Sequence, residues 1–244
     1  MRDVLAPESS RRRALVGQFA DVVEAAAYQE LVLPLVEDLG VFLRVGEATD
    51  VVTKEMYDFV DRDGTTVALR PESTAGVARS FLQHHPLAPW KVWYSSQHFR
   101  HEKPQAGRFR QHHQLGAEVF GAVDPDVDVE LIVGLWDFYA SLGLRKLRLE
   151  VNSIGDPSTR QRYQDELRAF LAARLDDLGP DDRAKAAGHP LRVLDSKDAT
   201  TRAALDGAPT LLDAMDETSL AHFDRVQAGL TAAGIEFVVN PRLV

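Results

Sequence analysis

The 244-residue chain has 37 acidic and 28 basic residues, a net charge of −9, and 45% hydrophobic residues. This length and composition suffice for a buried core, and the acidic balance argues against broad, non-specific coating of nucleic acid. The absence of cysteine excludes disulfides and thiolate metal sites and fits a cytoplasmic protein. No export signal and no apolar run of about 20 residues is present, which predicts no membrane partner.

The N-terminal part of the chain mixes a predicted helix with predicted strands. Apolar residues recur with helical spacing in Pro7–Ala27, which predicts an amphipathic helix, and the run Leu31–Leu33 predicts a buried strand. An Asp-Gly pair separates Met56–Val60 from Thr65–Leu69. Because these two residue types tolerate the positive φ of tight turns, the pattern predicts a β-hairpin.

The middle of the chain continues with a further helix and a pair of longer strands. A helix is predicted over Thr74–His84, and either Ser73 or Thr74 could cap it. Periodicity then predicts, in chain order, the strands Lys91–Ser96 and Leu115–Val119, the helix Val127–Leu142 and the strand Leu147–Val151. Hairpin-linked strands without regular βαβ alternation predict an α+β fold with a mostly antiparallel sheet flanked by helices.

The composition changes at Asn152–Pro157, a cluster of helix- and strand-breaking residues. Residues 156–234 are richer in Ala, Asp and Arg and are predicted to form an inserted helical lobe, most clearly over Arg160–Leu178 and Ser219–Ala233. Ile235–Val239 restarts a strand. The predicted organisation is therefore a core over residues 1–155, a helical insertion over 156–234 and a return strand over 235–244.

A basic segment between the two central strands is the strongest functional signal. From Lys91 to His113 the sequence has five lysines and arginines against one acid, Glu102, in an otherwise acidic chain. This pattern is typical of a site for a small polyanion such as a nucleoside triphosphate, and arginine forks suit phosphate groups. The alternative is a solvated charged hairpin. No P-loop or Rossmann glycine motif is present, so arginine side chains would have to bind the phosphates.

Two further motifs flank this segment. Glu72 and Thr74 lie where a predicted strand meets a helix, so they are either a plain helix cap or a site for a substrate ammonium. Gln114, Gly116 and Glu118 share one face of the second strand, which predicts either the floor of a small polar pocket or a solvated strand face.

Adjacent histidines occur twice, but they predict no metal site. Neighbouring side chains on a strand point to opposite faces, and no carboxylate pair completes a ligand set. The two pairs are His84–His85 and His112–His113. No Ser-His-Asp arrangement is supported by spacing either.

Taken together, these motifs resemble those of histidyl-tRNA synthetase, a class II aminoacyl-tRNA synthetase. Phe99–Gln111 is similar to that family's version of motif 2, and Leu69–Ala75 is similar to its amino-acid-binding segment. Asp50–Tyr57 and Leu191–Lys197 also resemble the family, and the similarity extends over the whole chain. The helix that ends in Tyr28, together with the predicted strand that follows it to Pro34, resembles motif 1, which in this family forms the homodimer interface and so implies a homodimer.

The resemblance implies a histidine–tRNA ligase that uses ATP and Mg²⁺ to form histidyl-adenylate and then charges tRNA(His). Arg100 would be catalytic, holding the α-phosphate and the substrate carboxylate. The implied histidine-binding residues are Glu72, Ser73, Thr74, Arg100, Gln114 and Glu118. The implied ATP-binding residues are Arg100, Glu102 at the adenine amino group, Arg108 at the distal phosphates, Arg110 and His112. The helical lobe would lie near the tRNA acceptor stem.

Two departures from the family pattern qualify this expectation. His112 stands where the family usually carries a phenylalanine that stacks on adenine. The chain stops before the family's second histidine-binding loop and motif 3, which implies a truncated catalytic domain that is weak or inactive alone. Two alternatives stay open: a histidine-binding regulatory subunit of ATP phosphoribosyltransferase, and a non-catalytic synthetase-derived module. Relatives of the regulatory subunit generally lose motif 2 chemistry, whereas Arg100, Glu102, Arg108 and Arg110 are present here.

Overall fold

The computed structural model describes residues 3–46, 55–102 and 107–243. Parts of the Asp50–Tyr57 and Phe99–Gln111 stretches, including Lys103, lie outside the described residues. The chain forms two compact units, Met1–Leu144 and Arg145–Val244. Helices flank β-sheets throughout, which confirms the predicted α+β class. Within the described ranges, no helix has the length and apolarity needed to cross a membrane.

Within its described residues, the first unit contains two three-stranded sheets and four helices. One sheet has the strand order β1-β5-β6, in which β5 is parallel to β1 and antiparallel to β6, and the other is antiparallel with the order β2-β4-β3. In chain order the elements are α1 (Glu8–Ala25), β1 (Gln29–Glu30), β2 (Val36–Asp38), α2 (Leu39–Gly46), β3 (Tyr57–Val60), β4 (Thr66–Leu69), α3 (Thr74–His84), β5 (Trp90–Phe99), β6 (Gln111–Phe120) and α4 (Pro125–Ser141).

The β5–β6 ladder is longer than the sequence pattern predicts. Ten residues of each strand pair in continuous register, from Trp90 opposite Phe120 to Phe99 opposite Gln111. The predicted strands stop short because polar residues such as His98 and His112 interrupt the apolar alternation that marks a half-buried strand. Those polar residues lie on the extended ladder and form part of the candidate site.

The core of the first unit fixes which face of β6 is available for a site. Phe19 of α1 packs edge-on against Phe138 of α4 and against Trp93 of β5, with ring centroids 5.2 and 6.1 Å apart respectively. Leu115 and Ala117 of β6 pack against the same cluster. Since side chains alternate along a strand, Gln114, Gly116 and Glu118 lie on the opposite face.

The predicted strand Leu31–Leu33 is wrong, although neighbouring residues do form short strands. The backbone N–H of Leu31 donates to the Trp93 carbonyl, but the carbonyls of Leu33 and Pro34 accept from Nη1 of buried Arg70 at 2.7 and 3.0 Å. A side chain from 36 residues away or more thus replaces the strand partner there. The Asp-Gly hairpin is confirmed, with Gly64 at φ +90°.

The described residues of the second unit are mostly helical, with one parallel pair of strands. The helix predicted over Arg160–Leu178 ends earlier, at Ala172, and is followed by a 3₁₀ turn at Leu175–Asp177. Asp156 and Asp216 begin the two long helices by accepting backbone N–H bonds from Thr159 and Ser219. Its elements are β7 (Leu149–Val151), α5 (Pro157–Ala172), α6 (Pro180–Ala186), α7 (Leu191–Leu194), α8 (Ala199–Ala204), α9 (Glu217–Ala232) and β8 (Phe237–Val239), with β7 parallel to β8.

A buried carboxylate links the short helices of the second unit. Asp182 on α6 is 4% exposed and accepts from Ser196 Oγ at 2.5 Å and from Thr201 Oγ1 at 2.9 Å. Lys185 Nζ donates to its other oxygen at 3.0 Å. Ser196 belongs to the Leu191–Lys197 stretch that resembles the synthetase family, so in this unit the stretch has a structural role.

Candidate active site

The floor of the candidate pocket is built by one close approach between β5 and β6. Tyr94 and Gly116 are register partners, and a Cβ on Gly116 would overlap the Tyr94 ring. The glycine therefore lets the ring lie across β6, where Tyr94 Oη donates to Glu118 Oε1 at 3.2 Å. Gln114 lies on the same face and is exposed. The structure thus brings together the polar face that the alternation predicts.

The N-terminus of α3 joins this floor. Thr74 Oγ1 donates to the same Glu118 oxygen at 2.9 Å. The Glu72 carboxylate accepts from the backbone N–H groups of Thr74 at 2.6 Å and of Ala75 at 2.9 Å, so Glu72 caps the helix. Two hydroxyls and one carboxylate, contributed by residues far apart in sequence, therefore converge at one point.

The prediction that Ser73 or Thr74 caps α3 through its hydroxyl is wrong. Ser73 occupies the N-cap position, but its side chain makes no cap bond. Its hydroxyl instead bonds His98 Nε2 on β5 at 2.7 Å, and both residues are buried. Ser73 therefore ties the start of α3 to the sheet and lies beneath the pocket.

Burial controls the electrostatics of the pocket floor. It raises the pKa of Glu118, and the nearby Glu72 carboxylate acts in the same direction, while the hydrogen bonds from Thr74 and Tyr94 oppose it. Burial also raises the pKa of Tyr94, with a further contribution from the Glu118 charge, so the phenol stays protonated and donating. A half-buried carboxylate oriented by two donors is well suited to accept a further hydrogen bond from a polar ligand.

Arg100 follows the end of β5 and is held in two ways. Its backbone N–H donates to the Arg110 carbonyl at 2.9 Å, and its Nε donates to the Pro71 carbonyl at 2.9 Å. Pro71 immediately precedes Glu72, so the Arg100 guanidinium is fixed beside the segment that leads into α3. The structure thereby places Arg100 next to the candidate amino-acid-binding residues.

The remaining basic residues lie on the outer part of the β5–β6 hairpin. Arg108 Nη1 is 3.3 Å from Glu102 Oε2, but the Arg108 side chain is 64% exposed, so this ion pair contributes little stability. Arg110 is also exposed. Exposed arginines that contribute little to folding are available to meet an anionic ligand.

His98 is a residue of the site that the sequence patterns did not single out. It is fully buried and lies opposite His112 across the ladder, with ring centroids 5.6 Å apart. Burial lowers the pKa of His98 to about 4, helped by the charges of His112, Arg70 and Arg100. Burial and Arg100 also lower the pKa of His112. Side chains two residues apart on a strand share a face, so continuing the pattern from Tyr94 and Ser96 would have placed His98 on the active-site face of β5.

The fold is that of a class II aminoacyl-tRNA synthetase. The structure superposes on apo Staphylococcus aureus histidyl-tRNA synthetase with a TM-score of 0.76 and 29% sequence identity, over 100% of this chain and 56% of that one. Residues 1–174 match the family described as histidyl-tRNA synthetase, and the chain belongs to that family. It spans little more than half the length of the S. aureus protein.

Two more solved structures share the fold at lower identity. One, from Bacillus halodurans C, is described as an ATP phosphoribosyltransferase regulatory subunit/histidyl-tRNA synthetase, with a TM-score of 0.69, 20% identity and coverage of 100% of this chain and 67% of that one. The other is a histidine–tRNA ligase subunit from Alicyclobacillus acidocaldarius, with a TM-score of 0.63, 23% identity and coverage of 100% and 79%. At these identities the matches show the fold.

Proposed function

We propose that this chain is a partial catalytic domain of a histidine–tRNA ligase, which activates histidine with ATP to histidyl-adenylate and transfers it to tRNA(His). Membership of the family supports the reaction class. The observation that carries the proposal is the convergence of Thr74 and Tyr94 on a single oxygen of Glu118. The Arg100 guanidinium is held at Pro71, three residues before Thr74. This arrangement suits an amino acid whose side chain carries an N–H donor.

Selection of histidine would depend mainly on Glu118. A carboxylate oxygen has two lone pairs, so Glu118 can accept from an imidazole N–H while Thr74 and Tyr94 hold it in place. An apolar competitor would leave this half-buried carboxylate without its ligand bond, which gives strong discrimination. Gln114 would complete the pocket, and Glu72, already engaged as a cap, would receive the ammonium on its remaining lone pairs.

Activation requires a carboxylate oxygen of histidine to attack the α-phosphorus of ATP while the bond to pyrophosphate breaks. In the proposal, Arg100 bridges the two reactants and stabilises the charge that builds up on the phosphoryl oxygens. Glu102 would bind the adenine amino group, Arg108 and Arg110 the distal phosphates, and His112 would lie against the adenine ring. The Arg108–Glu102 pair would open to do this, at little energetic cost because it is exposed.

We propose that Mg²⁺ binds together with the nucleotide. In the part of the chain that the structure describes, no group of three or more His, Asp or Glu side chains could hold a metal. Mg²⁺ usually keeps several waters and binds through substrate phosphates with one or two carboxylates. No protein ligand for Mg²⁺ is therefore assigned.

We propose that the chain has three parts. Residues 1–155 would form the catalytic core, residues 156–234 an insertion close to the tRNA acceptor stem, and residues 235–244 a return strand to the core. We also propose homodimer formation through the motif 1 region and a cytoplasmic location, and family membership supports both.

A histidine-binding regulatory subunit is the second candidate, favoured by the B. halodurans structure that carries both descriptions. Such a subunit would bind histidine without forming an adenylate. Arg100, Arg108 and Arg110 favour the ligase, because a regulatory histidine site has no need for three phosphate-binding side chains.

The test is histidine-dependent exchange of pyrophosphate into ATP, measured on the complete product of the natural gene. A ligase gives exchange with histidine and none without it. Absence of exchange, together with co-purification of a phosphoribosyltransferase, would transfer the assignment to the regulatory subunit. A protein with neither property would support a synthetase-derived module.

A further inference from the structure

His98 is a buried residue of the site that the activation reaction described above does not use. It is fully buried on β5, on the same strand face as Tyr94 and Ser96. Its Nε2 lies 2.7 Å from the hydroxyl of buried Ser73, at the start of α3. Among the described residues, its second ring nitrogen, Nδ1, is buried without a hydrogen-bond partner. Because buried polar atoms in folded proteins are nearly always paired, this nitrogen calls for a partner.

The side chain of Gln114 is within reach of the His98 ring. In the β5–β6 register His98 lies opposite His112, and Gln114 is two residues further along β6 on the same face. Diagonal neighbours of this kind can touch through long side chains. Burial and the charges of His112, Arg70 and Arg100 lower the pKa of His98, whereas a side-chain interaction with Gln114 acts in the opposite direction. A partner that raises this pKa favours the ring form in which both nitrogens donate, so Gln114 acts through its amide oxygen.

One tautomer of the neutral ring satisfies both neighbours. With its pKa lowered to about 4, His98 is uncharged at pH 7 and carries a single N–H. If that hydrogen is on Nδ1, the Ser73 hydroxyl donates to Nε2 and the Nδ1–H donates to Gln114 Oε1. If it is on Nε2, Nδ1 is a bare acceptor that faces another acceptor. The first arrangement pairs every donor and acceptor between these three side chains and is therefore the more stable one.

The same arrangement determines which way the Gln114 amide points. Gln114 is exposed, and a glutamine can present either its oxygen or its nitrogen to a ligand. When Oε1 is turned towards His98, the amide N–H groups face the pocket that holds Glu118. The pocket then offers a donor as well as an acceptor.

We propose that His98 is a positioning residue, whose Nδ1–H bonds Gln114 Oε1 and so fixes the Gln114 amide as a hydrogen-bond donor to the histidine substrate. The inference rests on the proposed function, since it takes histidine as the ligand. It adds a residue that acts on the substrate through another side chain, and it assigns the buried nitrogen its partner.

The bond itself is tested on the 244-residue chain without substrate. Two-bond ¹H–¹⁵N correlation spectra at pH 7 should show His98 with its hydrogen on Nδ1 and with Nε2 bare. The Nδ1 proton signal should move upfield in Gln114→Leu, which removes the acceptor. It should stay in place in His112→Phe, which removes the other polar ring beside His98. A hydrogen on Nε2, or a Nδ1 proton signal that Gln114→Leu leaves unchanged, would overturn the proposal.

Two substitutions at His98 separate the positioning role from a structural one. A glutamine amide reaches the place of Nε2 and keeps the bond to Ser73, whereas an asparagine amide reaches the place of Nδ1 and keeps the bond to Gln114. In the complete product of the natural gene, His98→Gln should raise the histidine KM of pyrophosphate exchange by about three- to tenfold, the usual loss for one hydrogen bond, and leave the ATP KM unchanged. His98→Asn should keep the histidine KM within about twofold of the wild type.

A residue that only holds Ser73 predicts the reverse order of the two variants, and that order would overturn the proposal. Absence of exchange in the wild type would contradict the proposed ligase, and the spectra of the 244-residue chain would then decide the bond between His98 and Gln114. The spectra also decide if His98→Asn does not fold.

Discussion

Tyr94 lies across the backbone of Gly116, and this contact places the Tyr94 hydroxyl 3.2 Å from Glu118. A methyl group at residue 116 would overlap the ring and force it away. We therefore expect Gly116→Ala to lower the free energy of unfolding by about 1–3 kcal/mol, as for other overpacked sites. The substitution should also lower the affinity for any ligand that binds to Glu118. Urea unfolding of the purified variant measures the first effect.

A double-mutant cycle isolates the cause of that loss. If the clash with Tyr94 is responsible, Gly116→Ala should cost less than about 0.5 kcal/mol when it is made in a Tyr94→Ala background. An equal cost in both backgrounds would show that backbone strain or another neighbour is responsible.

His98 should make the protein less stable in acid. Burial lowers its pKa from 6.5 to about 4, so as the pH falls below 6.5 the unfolded chain binds the proton before the folded protein does. Stability is therefore fully present above pH 6.5 and is lost towards pH 4, by roughly 3 kcal/mol for a shift of this size. Urea unfolding at pH 7 and pH 4 should show this loss, and it should largely disappear in His98→Gln, whose amide can still bond Ser73.

The control for this experiment is His84→Gln, which removes an exposed histidine at the end of α3. Its loss of stability between pH 7 and pH 4 should equal that of the wild type. If His98→Gln and the wild type lost the same amount, the acid sensitivity would have another origin.

Asp182 should be the most sensitive polar residue of the helical unit. Its buried carboxylate accepts from Ser196, Thr201 and Lys185, and alanine would leave these donors unsatisfied. We expect Asp182→Ala to cost about 2–4 kcal/mol in thermal or urea unfolding. Asp181→Ala is the matched control, because Asp181 is the exposed neighbour on the same helix, and it should change stability by less than about 0.5 kcal/mol.

Elements that are encoded by consecutive residues could be predicted from the sequence. The helix over Thr74–His84 and the Asp-Gly hairpin were confirmed because a helical period and a positive-φ turn are encoded by consecutive residues. The shared face of Gln114 and Glu118 followed from strand alternation in the same way. These elements bring the principal candidate residues to one place.

Long-range partners could not be predicted in this way. The bond between Ser73 and His98 joins residues 25 apart, and it removes the hydroxyl that was expected to cap α3. The strand predicted at Leu31–Leu33 is absent where the Arg70 side chain donates to the Leu33 carbonyl, which a neighbouring strand would otherwise pair with. In both cases a tertiary contact replaced the local preference, and nothing in the neighbouring sequence marks that partner.

Calorimetric titration of the 244-residue chain with ATP shows whether the arginines beside this pocket bind ATP for an activation reaction. We predict weak, magnesium-dependent binding that falls at least tenfold in Arg100→Ala, with little binding of histidine alone. Arg13→Ala, on the exposed face of α1, is the control and should bind ATP as the wild type does. Tight histidine binding without ATP would favour the regulatory subunit over the ligase, and ATP binding unaffected by Arg100→Ala would show that Arg100 does not bind the nucleotide.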